Sequence, residues 1–276
     1  MLKNVSELWI GGNPDGNFKH KDKEIAKFNR SAKIQKNYPE IDAKLRKFCE
    51  IKGLSERKAC AFATLMMIEC GIRIGNEESA EGYVSKAKKT EGQVLKTYGL
   101  TTLLREHVSF PPDGSIILNF IGKKSVEHDI TITDPFLVSV GKEFWSVPLN
   151  IRMFDARWLT LPNGQIIEDK NVNNFIRKSI GAKFSAKDFR TFKANIEAAK
   201  ISKDILQKRL KLNKKEVNEE IKIIVSDVSK ILGNSPTIAR KAYINPQILR
   251  RHWNYRDFNV NVIKKKGKVK EIITNV

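Results

Sequence analysis

SIILNFIGKKSVEHDITIT, residues 115–133, is the stretch that decides the fold class of this chain. An apolar run over 116–121 is followed by a turn at 122–125 that contains two adjacent lysines. Beyond the turn, every second residue belongs to one face: Val126, His128, Ile130 and Ile132. Alternation with a period of two is typical of a half-buried strand. The stretch therefore predicts a β-hairpin with lysines at its tip.

Around this hairpin, the apolar residues recur with helical spacing. A helix that begins at the N-cap residue Ser55 places four apolar residues on one core-facing stripe: Ala61, Leu65, Ile68 and Ile72. A second, strongly amphipathic helix spans 217–231 and ends at Gly233, and Ser235-Pro236 begins another short helix. The fold class predicted is α+β, mostly α-helical with a small antiparallel β-sheet or hairpin.

The charge of the chain indicates its partner. Its 276 residues include 51 Lys+Arg against 31 Asp+Glu, which leaves a net charge of +20. Such a charge favours a polyanion, with nucleic acid first and an anionic membrane surface second. No apolar run approaches the roughly 20 residues that span a bilayer, and the N-terminus lacks the apolar stretch of a signal peptide. We therefore expect an intracellular protein located with DNA, in the cytoplasm, the nucleus or a virion.

The sequence also argues against several kinds of site. Cys49, Cys60 and Cys70 lack the spacing of a zinc site or a disulfide framework, so they are interpreted as reduced packing residues. No GxxxxGK(S/T) or GxGxxG motif is present to cradle a nucleotide phosphate. The sequence therefore implies neither a metal site nor a nucleotide cofactor.

Two arginines lie among apolar residues and need partners. Arg73 is flanked by isoleucines in CGIRIGNEE, and Arg190 lies between phenylalanines in AKDFRTFKAN. An unpaired buried charge costs several kcal/mol. Each arginine could form a structural ion pair, and for Arg190 the neighbouring Asp188 is a local candidate.

Two further residues have a plain structural interpretation when taken alone. Lys123 at the hairpin tip could be a solubilising lysine or a mobile finger that enters a groove. Tyr243, in RKAYINP, could simply pack, but Arg240 and Lys241 surround it with positive charge that favours a phenolate nucleophile.

Taken together, these four residues fit one reaction. In-line attack on a phosphodiester places charge on the nonbridging oxygens, which guanidinium groups can hold, and the departing 5′ oxygen needs a proton. Two arginines, a lysine and a tyrosine meet these requirements without a metal.

The ordered motifs resemble those of the small type IB DNA topoisomerases of poxviruses, bacteria and giant viruses. The resemblance runs from about 29 to about 249 and rests on five segments: IRIGNEE, YGLTTLLREHV, FIGKKSVEHDI, AKDFRTFKAN and LGNSPTIARKAYINPQIL. It implies the DNA breaking-rejoining enzyme fold and relaxation of supercoiled DNA without ATP or metal. It also implies a monomer that binds double-stranded DNA and uses no cofactor.

The resemblance also implies roles for individual residues. Arg73 and Arg190 would stabilise the transition state, Lys123 would be the general acid, and Tyr243 would form a 3′-phosphotyrosyl link. Asn234 would be the fifth member, and its amide donates a hydrogen bond without bringing a titratable charge. Additional DNA contacts are assigned to four basic residues: Lys124, Lys187, Arg240 and Lys241.

Two alternatives remain open from the sequence. A tyrosine recombinase uses the same chemistry, although the Lys187-x-x-Arg190 pattern resembles topoisomerases and no separate core-binding domain fits before Ile41. A non-catalytic basic DNA-binding protein would also explain the charge.

The chain departs from the family pattern near its N-terminus. Residues 1–35 are interpreted as a residual N-terminal lobe and 36–276 as the catalytic domain. In the family, the N-terminal lobe closes over the DNA, so an incomplete lobe would leave binding more dependent on contacts with backbone phosphates. This predicts unusually salt-sensitive binding, in which the logarithm of the binding constant falls with the logarithm of salt concentration at a slope of about −0.9 per phosphate contact. The segment 81–97 resembles an inserted surface loop, and the basic stretch 262–272 resembles a surface tail.

Overall fold

The fold is mostly helical with two small antiparallel sheets among the described residues, and the sequence predicts such a mostly helical fold. The computed structural model describes residues 22–84, 92–148, 156–207 and 212–255. Its helices are α1 (Asp22–Lys36), α2 (Tyr38–Cys49), α3 (Glu56–Cys70), α4 (Glu77–Glu81), α5 (Pro135–Trp145), α6 (Asp169–Ser179), α7 (Ala186–Leu206), α8 (Lys214–Ile231), α9 (Pro236–Ile238) and α10 (246–255). Its strands are β1 (Tyr83–Val84), β2 (Val94–Leu95), β3 (Val108–Ser109), β4 (Ile116–Gly122) and β5 (Val126–Ile132). The predicted α+β class is confirmed.

The predicted hairpin is the centre of a three-stranded antiparallel sheet in the order β3-β4-β5. Its register pairs Ile116 with Ile132 at the base and Gly122 with Val126 at the tip. Alternate residues of β4 are buried, because one face of the sheet packs on the helices while the other faces solvent. Lys123, the first residue of the turn, is thereby carried to the end of the hairpin.

Helix α3 is the centre of the main core. It begins, as predicted, at Ser55, whose side chain accepts a hydrogen bond from the amide of Lys58 at 3.2 Å. Its side chains are buried on all sides because α2, α5, α6 and α7 pack around it. All four residues of the predicted stripe are buried, as predicted, but the helix was predicted too long: Gly71 adopts a left-handed φ of 66° and ends it before Ile72.

Helix α7 joins two hydrophobic clusters. It contributes Phe189 and Phe192 to the main core, and Ala194 and Ala198 to a smaller cluster with α8 and the segment around Tyr243. Arg190 lies on the first half, close to where the clusters meet. One helix thus fixes the position of Arg190 relative to both cores.

Helix α1 packs along α7. Arg30 forms an ion pair with Asp188, with 2.9 Å between Nε and Oδ1, and the Lys27 ammonium donates to the carbonyl of Ala242 at 2.6 Å. The boundary predicted between residues 35 and 36 stays a prediction. The residual lobe before residue 22, the middle of the 81–97 segment and the 262–272 tail lie outside the described residues.

The three cysteines are free, and Cys49 and Cys60 are buried. Burial raises the pKa of both thiols to about 12, so neither is a thiolate at neutral pH. The Cys70 thiol donates to the carbonyl of Met66 at 3.0 Å. Their interpretation as packing residues agrees with this placement.

Candidate active site

A cleft of about 330 Å³ contains four of the five residues singled out in the sequence. Arg73 enters it from the segment after α3, Lys123 from the hairpin tip, Arg190 from α7 and Tyr243 from the turn after α9. The fifth residue, Asn234, accepts a hydrogen bond at its side-chain oxygen from the guanidinium of Arg73. Residues separated by more than 160 positions therefore meet at one place.

Arg190 is deeply buried, with 3% of its surface exposed. Its two terminal nitrogens donate to the carbonyls of Gly71 and Leu232, and its Nε has no partner among the described residues. Burial lowers its pKa to about 10, and the nearby positive charge of Arg73 acts in the same direction. The guanidinium still carries its charge at neutral pH.

Asp188 is not the partner of Arg190. Its carboxylate accepts hydrogen bonds from the Ser185 amide and hydroxyl at 2.9 and 2.7 Å, and it pairs with Arg30. Residues two apart on a helix do not face one another, so the local ion pair considered from the sequence was wrong. Since no carboxylate of the described residues pairs with it, Arg190 lines the cleft as an unneutralised cation.

The backbone around Arg73 is fixed by a close approach between two glycines. The Arg73 carbonyl accepts from the amide of Leu100 at 2.8 Å, which brings Gly99 against Gly75. A Cβ on Gly99 would lie 2.5 Å from the Gly75 nitrogen, closer than any side chain tolerates. Glycine at both positions lets the two segments pack and sets the direction of the arginine.

Tyr243 ends a short, unusual helix. Ser235 caps α9 with a 3.4 Å bond from the Ile238 amide, and Ala239–Tyr243 forms a π-helical turn closed by the Ile244 amide and the Ala239 carbonyl at 2.9 Å. Single π turns occur frequently at functional sites. This turn directs a ring that is 6% exposed toward the cleft.

The charge around the Tyr243 phenol favours its ionised form. Burial alone would raise the pKa of the phenol, but the positive charges of Arg190 and Arg73 outweigh it, so the pKa lies below the usual value for tyrosine. The Arg190 guanidinium carbon is 5.3 Å from the ring centroid. The positive charges of Arg190 and Arg73 thus come from residues that are distant from Tyr243 in sequence. The sequence neighbours Arg240 and Lys241 are exposed on the π turn.

Asn195, to which the sequence patterns assign no role, holds the backbone at Tyr243 and two residues after it. Its amide nitrogen donates to the Tyr243 carbonyl at 3.1 Å, and its oxygen accepts from the Asn245 amide at 2.7 Å. The same nitrogen also donates to the Thr191 carbonyl at 2.7 Å. A fully buried amide with such contacts fixes the nucleophile segment onto α7.

We expect Asn195→Ala to lower the free energy of unfolding by about 1–3 kcal/mol for each buried group left unpaired, and to slow DNA cleavage at saturating enzyme. Urea unfolding and single-turnover cleavage measure the two effects. Asn173 is a matched control, because its side chain also bridges two backbone groups, the Asp169 carbonyl and the Ala186 amide. Asn173→Ala should destabilise without a comparable cleavage defect, and equal defects in both variants would contradict the prediction.

Lys123 is exposed at the tip of the hairpin and lines the cleft. The turn contains two residues with left-handed backbone, Lys124 at φ 66° and Ser125 at φ 55°. Non-glycine residues adopt this region rarely, and such strain often accompanies function. The turn directs Lys123 into the cleft while Lys124 remains exposed.

Asn234 lies in a turn that is tied to the end of α8. Its own amide donates to the Ser229 carbonyl at 2.9 Å, and the preceding Gly233 amide donates to the Lys230 carbonyl at 3.0 Å. The side-chain Nδ2 is buried and unpaired within the described structure, like the Nε of Arg190. One of these two buried N–H donors belongs to a residue that lines the cleft, and the other belongs to a residue that contacts Arg73.

Of the four additional basic residues, only Lys187 lines the cleft, one helical turn before Arg190. Within the described ranges, no group of three His, Cys, Asp or Glu side chains is arranged to hold a metal ion. None of the helices that the structure describes is long and apolar enough to cross a bilayer.

Comparison with known proteins agrees with this geometry. The family model for "Eukaryotic DNA topoisomerase I, catalytic core" matches residues 16–266. The chain is also similar to the DNA topoisomerase 1B of Acanthamoeba polyphaga mimivirus, with 24% identity over 238 residues that cover 85% of this chain and 67% of the mimivirus protein. The family match spans every residue of the cleft.

Proposed function

Because the chain belongs to the family of the eukaryotic DNA topoisomerase I catalytic core and is a type IB DNA topoisomerase, we propose that it relaxes supercoiled DNA through a transient 3′-phosphotyrosyl intermediate. Family membership makes the chain a DNA-binding isomerase, so the alternative of a non-catalytic binding protein is set aside. The observation that carries the proposal is the convergence of Arg73, Lys123, Arg190 and Tyr243 on one cleft, with Asn234 at its edge.

Each group has one part in the proposed cleavage step. The phenolate oxygen of Tyr243 attacks the phosphorus, so an O–P bond to tyrosine forms while the bond to the 5′ oxygen breaks. Lys123 gives its proton to the departing 5′ oxygen. Arg73, Arg190 and the amide of Asn234 donate hydrogen bonds to the nonbridging oxygens, where charge develops.

The buried Arg190 and the half-buried Arg73 support this assignment energetically. A charged hydrogen bond is stronger inside a low-dielectric cleft than in water, and donors that are already oriented need no rearrangement during the reaction. The guanidinium of Arg190 is held between two carbonyls, and that of Arg73 is held by Asn234. These two arginines supply the positive charge that a metal ion would otherwise provide.

The proposed reaction needs no external energy source. Cleavage exchanges one phosphodiester for another, so the bond energy is retained in the phosphotyrosine. The free 5′ hydroxyl can attack that bond after the DNA has rotated, and the proton returns to Lys123. Religation is thus the reverse of cleavage, and relief of supercoiling drives the overall change.

Relaxation of a supercoiled plasmid in EDTA, without nucleotide, tests the proposal. We expect complete relaxation through intermediate topoisomers, because swivelling about one strand changes the linking number in single steps. A requirement for Mg²⁺ or ATP would contradict the proposed mechanism. Joining of two separate duplexes without plasmid relaxation would instead favour the recombinase alternative.

A further inference from the structure

The core-facing residues of strand β5 change from aliphatic to aromatic at His128, toward the hairpin tip. Ile132 and Ile130 are followed on the same face by His128, which is half-buried. Its ring stacks on Phe120, its direct cross-strand partner, with 4.6 Å between the ring centroids and an interplanar angle of 6°. An imidazole thus occupies a position where the pattern calls for an aliphatic residue.

Two glycines make room for this ring. A Cβ on Gly122 would lie 2.6 Å from both Cδ2 and Nε2 of His128, and a Cβ on Gly233 would lie 2.1 Å from Cε1. Real Cβ contacts do not come this close, so the ring packs against bare backbone on both sides. His128 is therefore clamped between the end of β4 and the turn that follows α8.

The positions of these glycines connect the ring to the cleft. Gly122 immediately precedes Lys123, and Gly233 immediately precedes Asn234. The imidazole accordingly acts as a spacer between the backbone that carries the proposed general acid and the backbone that carries the proposed oxyanion donor.

The surroundings of His128 keep it uncharged. Burial, followed by the positive charges of Arg190 and Arg73, lowers its pKa to about 4. On its other side the ring borders a polar cavity with both acidic and basic side chains, including Glu69, Lys193 and Lys230. A neutral ring can fill the space beside the two arginines without repelling them.

The two sides of the spacer differ in how firmly they are held. The Gly233–Asn234 turn is fixed to α8 by the two backbone bonds described above, and Asn234 also contacts Arg73. The outer half of the hairpin contacts the rest of the fold through the buried Phe120, through the bond from the Tyr98 amide to the Ile121 carbonyl at 2.8 Å, and through His128. Removing the ring should therefore displace the hairpin more than the turn.

We propose that His128 is a positioning residue that sets the distance between the Lys123 hairpin and the Gly233–Asn234 turn, so that the lysine reaches the phosphodiester held in the cleft. This inference rests on the proposed function. His128 itself gives and takes no proton, and its role is exerted through the placement of Lys123.

The test compares single-turnover cleavage of two DNA substrates. One is ordinary, and in the other the bridging 5′ oxygen at the cleavage site is sulfur, which leaves as a thiolate without a proton. His128→Ala should slow the ordinary substrate about 10- to 100-fold, the loss expected from a misplaced catalytic group. The sulfur substrate should be cleaved within about threefold of the wild-type rate, because it does not need the acid.

Gly122→Ala examines the same contact from the hairpin side. Its methyl group would meet the ring at 2.6 Å, and the residue is not among those with a left-handed backbone. The same selective loss is expected, so the test holds even if His128→Ala does not fold. In Gly122→Ala/His128→Ala the second change should restore part of the rate, because the clash disappears.

His107→Ala provides a matched control. Its ring also contacts an aromatic side chain, tilted by 59° and with 4.3 Å between its centroid and that of Tyr98, but it is not among the atoms nearest to the two glycines. This variant should keep the wild-type ratio of rates on the two substrates. Equal slowing of both substrates by His128→Ala and Gly122→Ala, or no slowing by either, would overturn the inference.

Lys123→Ala separates this inference from the proposed function. If the sulfur substrate rescues Lys123→Ala but the His128 and Gly122 variants behave like the wild type, only the positioning role fails. If the sulfur substrate does not rescue Lys123→Ala, the assignment of the acid fails, and the positioning role that depends on it fails too.

Discussion

Replacing Tyr243 by phenylalanine is expected to abolish relaxation of supercoiled DNA, with a loss of at least about 10⁴-fold because no covalent route remains. The substitution removes one oxygen atom and leaves the ring, which packs in the smaller hydrophobic cluster. Folding and DNA binding should therefore be close to those of the wild type. Trapping with denaturant, followed by gel analysis, should show a protein–DNA adduct for the wild type and none for the variant.

Tyr98→Phe is the matched control for this experiment, since Tyr98 also lines the cleft. Burial and the nearby Glu106 carboxylate raise the pKa of its phenol, whereas the arginines lower that of Tyr243. Tyr98→Phe should still form the adduct. An adduct that persists in Tyr243→Phe and disappears in Tyr98→Phe would transfer the nucleophile to Tyr98.

Lys123→Ala should slow cleavage about 10²- to 10⁴-fold, the usual contribution of general acid–base catalysis. DNA affinity should change little, because a lysine at a hairpin tip is one cationic contact among many. A substrate with a sulfur leaving group should restore the rate, since its departure needs no proton. Single-turnover cleavage and equilibrium binding measure these effects separately.

Lys124→Ala distinguishes proton donation from simple positive charge. Lys124 has the same charge and is the next residue of the turn, but only Lys123 lines the cleft. The control should lose some affinity without a selective cleavage defect. If both lysine variants cleave equally slowly and neither is rescued by sulfur, the acid must be sought elsewhere in the cleft.

Local patterns identified the elements of the fold. Period-two alternation placed the hairpin, a serine N-cap placed the start of α3, and Ser235-Pro236 placed the start of α9, all of which the structure confirms. These patterns depend on residues a few positions apart. The left-handed Gly71 shows the limit, because helical spacing alone extended α3 to Ile72.

The partners of the functional side chains could not be read in this way. Asp188 is close to Arg190 in sequence, yet it faces Arg30. Asn195 and His128 have no motif that announces a role, although a histidine on the core-facing side of an alternating strand could have drawn attention. Their importance comes from the backbone they contact, which side-chain patterns do not reveal.

The sequence by itself determined the α+β class, the positions of the main helices and the hairpin, and, through ordered motifs, the side chains to which the chemistry is assigned. Only the tertiary structure decided that these side chains share a cleft, what each one bonds to, and which residues hold them. The physical reason is separation along the chain: Arg73 meets Asn234 across 161 positions, and Arg190 meets Gly71 across 119. Such contacts are set by the packing of whole elements, whereas periodicity and capping are set by immediate neighbours.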